Sequence, residues 1–337
     1  MFSLFDLERI PRTWRVAYIP KKSGGKRKLT IPNDELKDLQ SEILQYLYEL
    51  RRQGKIKISA MAHGFVPYHD CMSAVMVHDR NSEVILCCDI EHAFDTLNPD
   101  FAKAKLLDAG VDMNTAENII GACSYENALP QGGPASPYLL NIAMFDADCQ
   151  IAAYAKKHGF VYTRYADDMQ FSVKDCDPRV LEALRRSENK EPKSKNPFVW
   201  FLYGVDTILQ TTLGMRINHK KDHIIFRGSK CKPHVLGICI RQDGHGYNAE
   251  RRFREETRAG ICNLYRKVIV KQKGRIYDTD WRRWACLEGR VNYMDKCRRT
   301  SDPGYDNVDP RIQDKFYQPL ERKFNAAKLQ RISEAGA

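Results

Sequence analysis

Two adjacent aspartates flanked by β-favouring runs constrain this chain more than any other feature. In Val161-Tyr-Thr-Arg-Tyr-Ala-Asp-Asp-Met-Gln-Phe-Ser-Val173, Asp167 and Asp168 stand between Val161–Tyr165 and Met169–Val173. That is the pattern of a β-hairpin with acids at its tip. Neighbouring strand residues point to opposite faces, so only a turn lets both carboxylates approach one site. Carboxylates held together repel unless a cation lies between them. An isolated Asp-Asp is ordinarily a solvated turn, but a third acid lies upstream. Val84-Ile-Leu-Cys-Cys88 is a continuous apolar run, as in a strand buried on both faces, and it stops at Asp89. A carboxylate ending a buried strand is costly unless it is paired or binds metal. Asp89, Asp167 and Asp168 make an oxygen-only set suited to hard cations, Mg²⁺ first and Mn²⁺ second. Two such ions, roughly 3.5–4 Å apart, are a general device for in-line displacement at phosphorus.

Charge points to the partner. The net charge is +11, and from Arg241 onward there are 22 Lys and Arg against 14 Asp and Glu, leaving +8 in the last third. The basic residues there include Arg251, Arg252, Arg254, Arg258, Lys267, Arg282 and Arg283, with Phe253, Tyr265, Tyr277, Trp281 and Trp284 interleaved. Such a surface beside an acidic metal site suits a protein that tracks a phosphate backbone; a basic helical bundle without that use is the plainer alternative. The eleven cysteines show no regular spacing, which argues against a disulfide framework, and most read as small buried apolar groups. Cys231-Lys-Pro-His234 is half of a zinc motif with no second half. No run approaches the roughly 20 apolar residues of a membrane span. Residues 1–9 carry neither a basic lead nor a long apolar segment, so a cytoplasmic location is expected.

The rest of the chain falls into recognisable elements. Leu4, Leu7, Ile10 and Trp14 suggest an N-terminal helix within residues 1–18. Tyr18–Pro32 reads as a hairpin turning at Ser23-Gly-Gly25 and carrying Lys21, Lys22, Lys26, Arg27 and Lys28. Asn33–Arg52 has a helical stripe, and two helices are expected across residues 99–123, with Gly110 as a C-cap. Pro130-Gln-Gly-Gly-Pro-Ala-Ser-Pro137 is a glycine-rich loop opening an apolar helix, where a backbone or phosphate can approach closely. Residues 185–198 read as a polar exposed loop, Val205–Leu213 as a helix, His234–Ile240 as a strand, and Asp243–Gly246 as a boundary. His63 and His78 are expected to be structural.

The ordered set of an apolar run ending in Asp89-x-x-x-x-Phe94, the Pro130–Pro137 loop and Tyr165-Ala-Asp-Asp168 resembles the reverse transcriptases, most nearly the bacterial retron branch. The likeness covers most of residues 14–290. It implies an α+β right-hand polymerase: fingers at 1–83, palm at 84–243 with a fingers segment at 99–137, and a small helical thumb at 244–337. The implied activity is DNA synthesis on an RNA template, with catalysis by Asp89, Asp167 and Asp168. Two Mg²⁺ ions, or Mn²⁺, would lie at Asp89, Ile90, Asp167 and Asp168. Arg27, with Lys21 or Lys22, would clamp the triphosphate. Phe94 would lie under the sugar, although an ordinary core phenylalanine is the competing reading. Gln131, Gly132 and Ser136 would meet the template and incoming base, and Lys220 or Lys221 would protonate pyrophosphate. The seven basic residues named above would grip nucleic acid. Implied partners are a structured noncoding RNA serving as template and primer, the DNA product, deoxynucleoside triphosphates and an effector protein of antiphage defence. Two departures stand out: Ser73-Ala74 and His78 replace Asn-Ala-x-x-His, and Leu236 replaces the threonine of Val-Thr-Gly. Another bacterial reverse transcriptase, defence-associated or group II-like, and a non-catalytic nucleic-acid-binding palm are the alternatives.

Overall fold

The computed structural model describes residues 10–20, 24–78, 82–187, 197–227, 234–240, 247–249, 251–299 and 313–335. Lys21, Lys22, Cys231 and the first nine residues lie outside them. The chain forms two compact units, divided at Arg227/Gly228, ahead of the 243/244 division expected from the turn-rich stretch.

In the first unit, β1 (Trp14–Pro20) and β2 (Lys26–Pro32) pair antiparallel from Trp14↔Pro32 to Pro20↔Lys26. Trp14–Tyr18 are thus strand, not the end of a helix. A full backbone ladder with β2 outweighs a local apolar stripe, and Val16, Tyr18 and Ile19 favour extended backbone. Helix α1 (Asp34–Arg52) begins where Asn33 accepts a hydrogen bond from the Leu36 amide at 3.1 Å. Acids occupy its first turn and arginines its last, matching the helix dipole. Its buried face is Leu36, Leu39, Gln40, Ile43, Leu47 and Leu50.

The palm-like sheet is four-stranded, in the order β4 (Val161–Tyr165), β5 (Asp168–Val173), β3 (Val84–Asp89) and β6 (His223–Phe226). All its pairings are antiparallel. The interior strand β3 is buried along its whole length, which explains its unbroken apolar run. One face of β4–β5 carries Tyr162 and Phe171, stacked with ring centroids 4.9 Å apart. Helices α7 (Phe145–Lys157) and α9 (Val199–Leu213) pack together beside it, and Phe201 meets both Phe171 and Phe160. Removing a ring such as the fully buried Phe201 costs about 3–5 kcal/mol.

The opposite face meets α2 (Cys71–Val77) through His78, whose imidazole bridges Ser172 at 2.8 Å and Thr163 at 2.7 Å. Between these strands and helices run α3 (Ala93–Thr96), α4 (Asp100–Asp108), α5 (Met113–Cys123), α6 (Ser136–Ala143) and α8 (Pro178–Ser187). Gly110 takes a left-handed φ of 81° after α4, the helix-ending conformation glycine adopts freely. Arg185–Ser187 belong to α8, so the polar stretch is helical at its start; residues 188–196 lie outside the described residues.

The second unit opens with a three-stranded meander, β7 (His234–Val235), β8 (Ile238–Ile240) and β9 (Tyr247–Ala249). His234–Ile240 is therefore a tight hairpin and not one strand. Leu236 and Gly237 both have positive φ, 51° and 77°, as a two-residue turn of the primed type requires. Helices α10 (Arg251–Tyr265), α11 (Asp278–Arg299) and α12 (Gln318–Ala335) follow, with π-helical turns at Arg266–Lys271 and Gln313–Tyr317. Their core centres on Trp284, which stacks on Tyr317 and Phe324 at 5.3 and 5.0 Å. Among the described residues no helix is long and apolar enough to cross a membrane. Nine cysteines are free thiols, and four of them are buried.

Burial, with His63 adding to it, lowers the His78 pKa to about 4. A histidine kept neutral in the fold but free to protonate when unfolded contributes stability above about pH 6.5, lost as pH falls through 6.5 toward 4. We expect thermal stability to fall more steeply between pH 7 and pH 5 in the wild-type chain than in His78→Gln. Equal slopes would show that His78 titrates normally.

Candidate active site

The antiparallel register sets Asp89 directly opposite Asp168, a pairing with Cα atoms roughly 4.5–5.5 Å apart. The Ile90 amide donates to the Asp167 carbonyl at 2.9 Å, locking the hairpin tip to the end of β3. On the other side the Asn218 amide donates to the Asp89 carbonyl at 2.8 Å. The strand-end acid and the two hairpin acids, remote in sequence, thus meet at one end of the sheet.

Asp89 is 6% exposed; one carboxylate oxygen, Oδ1, is buried with no hydrogen-bond partner, and Oδ2 accepts from Lys221 Nζ at 2.6 Å. Loss of solvent raises the Asp167 pKa, with Asp89 adding to the effect and Lys221 and Arg27 opposing it. Asp168 keeps an exposed edge, yet the surrounding protein and then repulsion from Asp167 and Asp89 push it up to about 6. Two carboxylates whose ionisation is resisted, beside a third with an orphaned buried oxygen, fit a divalent cation. Among the described residues no three His, Cys, Asp or Glu side chains form a ready-made metal cluster. Lys221 instead supplies positive charge at Asp89. Lys221, and not its exposed neighbour Lys220, is the lysine that reaches the acids.

Beneath the hairpin lies a network that the sequence reading missed. Arg164 and Asp148 are both fully buried. The guanidinium grips the carboxylate with two bonds, Nε to Oδ1 at 2.9 Å and Nη2 to Oδ2 at 2.6 Å. Its Nη1 donates to Asn141 Oδ1 at 3.0 Å and to the Ala166 carbonyl at 2.7 Å. Tyr162 donates to Asp148 at 2.9 Å, and Asn141 Nδ2 donates to the Gly64 carbonyl at 2.8 Å. Ala166 sits in the turn with φ 55°, a conformation alanine adopts only when its surroundings enforce it. Gly64 closes against it: a Cβ there would stand 2.5 Å from the Ala166 nitrogen. The missed signal was a cation, Arg164, inside an otherwise buried strand run, where an arginine must have a partner.

The remaining expected residues divide. Arg27 is exposed on β2, and its charge acts on Asp167, so the basic hairpin faces the acids. Lys28 is committed elsewhere, to Glu126 at 3.2 Å and the Tyr125 ring. Gly132 lies against β2, where a Cβ would drive into the Thr30 carbonyl, and Gln131 beside it is half-buried. Ser136 is 1% exposed and buried within the protein. Phe94 is partly buried against the core. Ile90 is 1% exposed, leaving only its backbone to offer a ligand. His63 bonds Ser73 at 2.8 Å. In the second unit Arg282 and Arg283 are exposed, and Arg254 and Arg258 are half-buried. Lys267 is tied to the buried Asp280 at 2.5 Å. Arg251 and Arg252 lie on the first turn of α10.

An acidic, cation-seeking cluster at one end of an antiparallel sheet, faced by a basic hairpin, is the arrangement of enzymes that transfer nucleotidyl groups. Residues 19–195 match the family described as reverse transcriptase (RNA-dependent DNA polymerase). That match covers more than half of the chain, which belongs to this family. The retron Ec86 reverse transcriptase of Escherichia coli is 29% identical over 254 residues, 75% of this chain and 70% of that protein. The retron Mx65 enzyme of Myxococcus xanthus is 30% identical over 82% of this chain and 59% of its own length. The retron Mx162 enzyme of the same organism is 26% identical over 73% of this chain, so the chain spans about half, 51%, of that relative. Among solved structures, the apo telomerase of Candida tropicalis aligns with TM-score 0.46 and 13% identity, covering 84% of this chain and 56% of that one.

Arg164→Met leaves the Asp148 carboxylate buried and unpaired, and should cost about 3–5 kcal/mol in chemical denaturation. A second change, Asp148→Asn, should restore part of the loss. A cost below about 1 kcal/mol would mean the pair does not brace the hairpin.

Proposed function

We propose that the chain is an RNA-directed DNA polymerase of the retron type, copying a structured noncoding RNA into DNA from deoxynucleoside triphosphates. The observation that carries this reading is the meeting of Asp89 with Asp167 and Asp168. Likeness over most of the chain to several retron reverse transcriptases supports the branch.

Asp89, Asp167 and Asp168, with the backbone of Ile90, would hold Mg²⁺ or Mn²⁺ as a pair of ions. When bound, such ions activate the attacking hydroxyl and neutralise the leaving pyrophosphate. The protein's own groups do the rest. Arg27, with Lys21 and Lys22, draws the triphosphate to the acids and stabilises charge that grows on its departure. Of the two lysines expected, Lys221 takes this role: its ammonium, 65% exposed beside Asp89, donates a proton to the leaving group. Gln131 and Gly132 line the approach of template and incoming base. The partly exposed Phe94 ring crowds a ribose 2′-hydroxyl and so favours deoxynucleotides. Residues 1–83 serve as fingers, 84–243 as palm with the 99–137 segment packed among the fingers, and 244–337 as thumb. In the thumb, Arg254, Arg258, Arg282, Arg283 and their neighbours Arg251 and Arg252 contact the nucleic-acid backbone. Lys267 serves there by fixing Asp280. The enzyme acts in the cytoplasm, in antiphage defence with an effector protein.

Replacing both Asp167 and Asp168 by Asn should abolish deoxynucleotide incorporation on an RNA template while RNA binding changes little. Incorporation by the purified double variant would overturn the assignment. For the branch, nucleic acid co-purifying with the wild-type protein should sequence as single-stranded DNA joined to RNA. Recovery of unlinked RNA alone would favour another bacterial reverse transcriptase.

A further inference from the structure

The loop between Ala62 and α2 displays two aromatic rings in a way that folding alone does not explain. Phe65 and Tyr68 both have left-handed backbone, φ 58° and 68°. Bulky residues rarely adopt this conformation, and it persists only where the surroundings over-determine it. Here they do. The His63 amide donates to the Arg164 carbonyl at 2.8 Å, the Gly64 carbonyl accepts from Asn141, and the His69 amide donates to the Val66 carbonyl at 3.0 Å. Val66 is buried, and Asp70 forms a reciprocal capping box with Ser73 at the start of α2.

Despite this anchoring, neither ring is put into the core. Phe65 is 52% exposed, and Tyr68 is fully exposed. A loop tied at His63, Gly64, Val66 and Asp70 thus holds two strained aromatics out into water. Phe65 stands beside the acid-bearing turn: its ring lies 6.2 Å from that of Tyr165, the residue that enters the Ala166–Asp167 turn, and Gly64 touches the turn backbone, while Tyr68 follows three residues on in the same loop.

We propose that Phe65 and Tyr68 form a stacking surface for an unpaired nucleobase of the strand bound at this site. The inference rests on the polymerase reading and adds to it a subsite. Every nucleobase has a flat π-face, and an aromatic ring fixed in advance receives it without losing side-chain freedom on binding. Phe65 adjoins the acid-bearing hairpin through Tyr165, so the occupant of this loop's surface is the nucleic acid held at that hairpin.

Glycine accepts left-handed φ without strain. Tyr68→Gly should therefore keep or raise thermal stability while weakening binding of a labelled RNA-template–DNA-primer duplex with a single-stranded overhang by about tenfold. Extension at saturating duplex should be unchanged, so the loss falls on KM and not on kcat. Tyr68→Phe should bind as the wild type does. Abasic positions scanned through the overhang should weaken wild-type binding at one or two places, and Tyr68→Gly should be insensitive at those places. Phe65→Leu, which keeps apolar bulk but not the π-face, should show the same loss. Unchanged affinity in Tyr68→Gly, or an abasic scan blind to the variant, overturns the proposal and leaves the exposed rings to a protein partner. A wild-type chain that bound no template–primer would instead overturn the polymerase reading, and this subsite with it.

Discussion

Like charges in register are the constraint around which the first unit is arranged. Strand β3 lies beside β5 so that Asp89 faces Asp168, and the Ile90 amide fixes Asp167 at the adjoining turn. Carboxylates so placed repel, and a loosely held hairpin would relieve that repulsion by moving away. The protein prevents this with a buried arginine. Arg164 is bonded to Asp148 and Asn141 on one side and to the Ala166 carbonyl on the other. Rigid support of closely set groups is what a catalytic site needs, since its geometry must be in place before the reactants arrive.

Positive charge at the site appears in three settings. Arg164 is fully buried and structural; it never meets solvent or substrate. Lys221 is largely exposed and engages Asp89 directly. Arg27 stands on the facing hairpin and acts on Asp167 at longer range. Desolvating the buried pair is costly, and two-point contact in a low-dielectric interior with the remaining bonds satisfied offsets that cost. The exposed cations are weakly held by comparison and remain free to exchange partners.

The second unit uses different means. Its described helices pack about Trp284 and its stacked neighbours, and α10 approaches α11 closely at Gly260, where a Cβ would press on Leu287. Basic side chains in this unit are not equivalent. Lys267 braces the loop before α11 through Asp280, which also accepts from Gln272 and from the Tyr277 amide. Arg282 and Arg283 project outward. Charge counted along the sequence therefore overstates the free cationic surface.

The sequence by itself determined which three acids would converge, because a carboxylate at the end of a buried strand and a pair at a hairpin tip have few inexpensive uses. It also determined the strand character of Val84–Asp89 and the helix at Asp34–Arg52, whose apolar periods and capping residues are local signals. Local signals failed where long-range pairing decided the matter. Residues 14–18 became strand because β2 offered a complete ladder, and His234–Ile240 folded back because Leu236 and Gly237 took positive φ. Which lysine reaches Asp89, that Ser136 faces inward, and that Arg164, Asp148, Asn141 and Gly64 brace the turn were decided by tertiary structure alone. Each depends on contacts between residues far apart in the chain, and no periodicity or composition records which side chains will share a buried space.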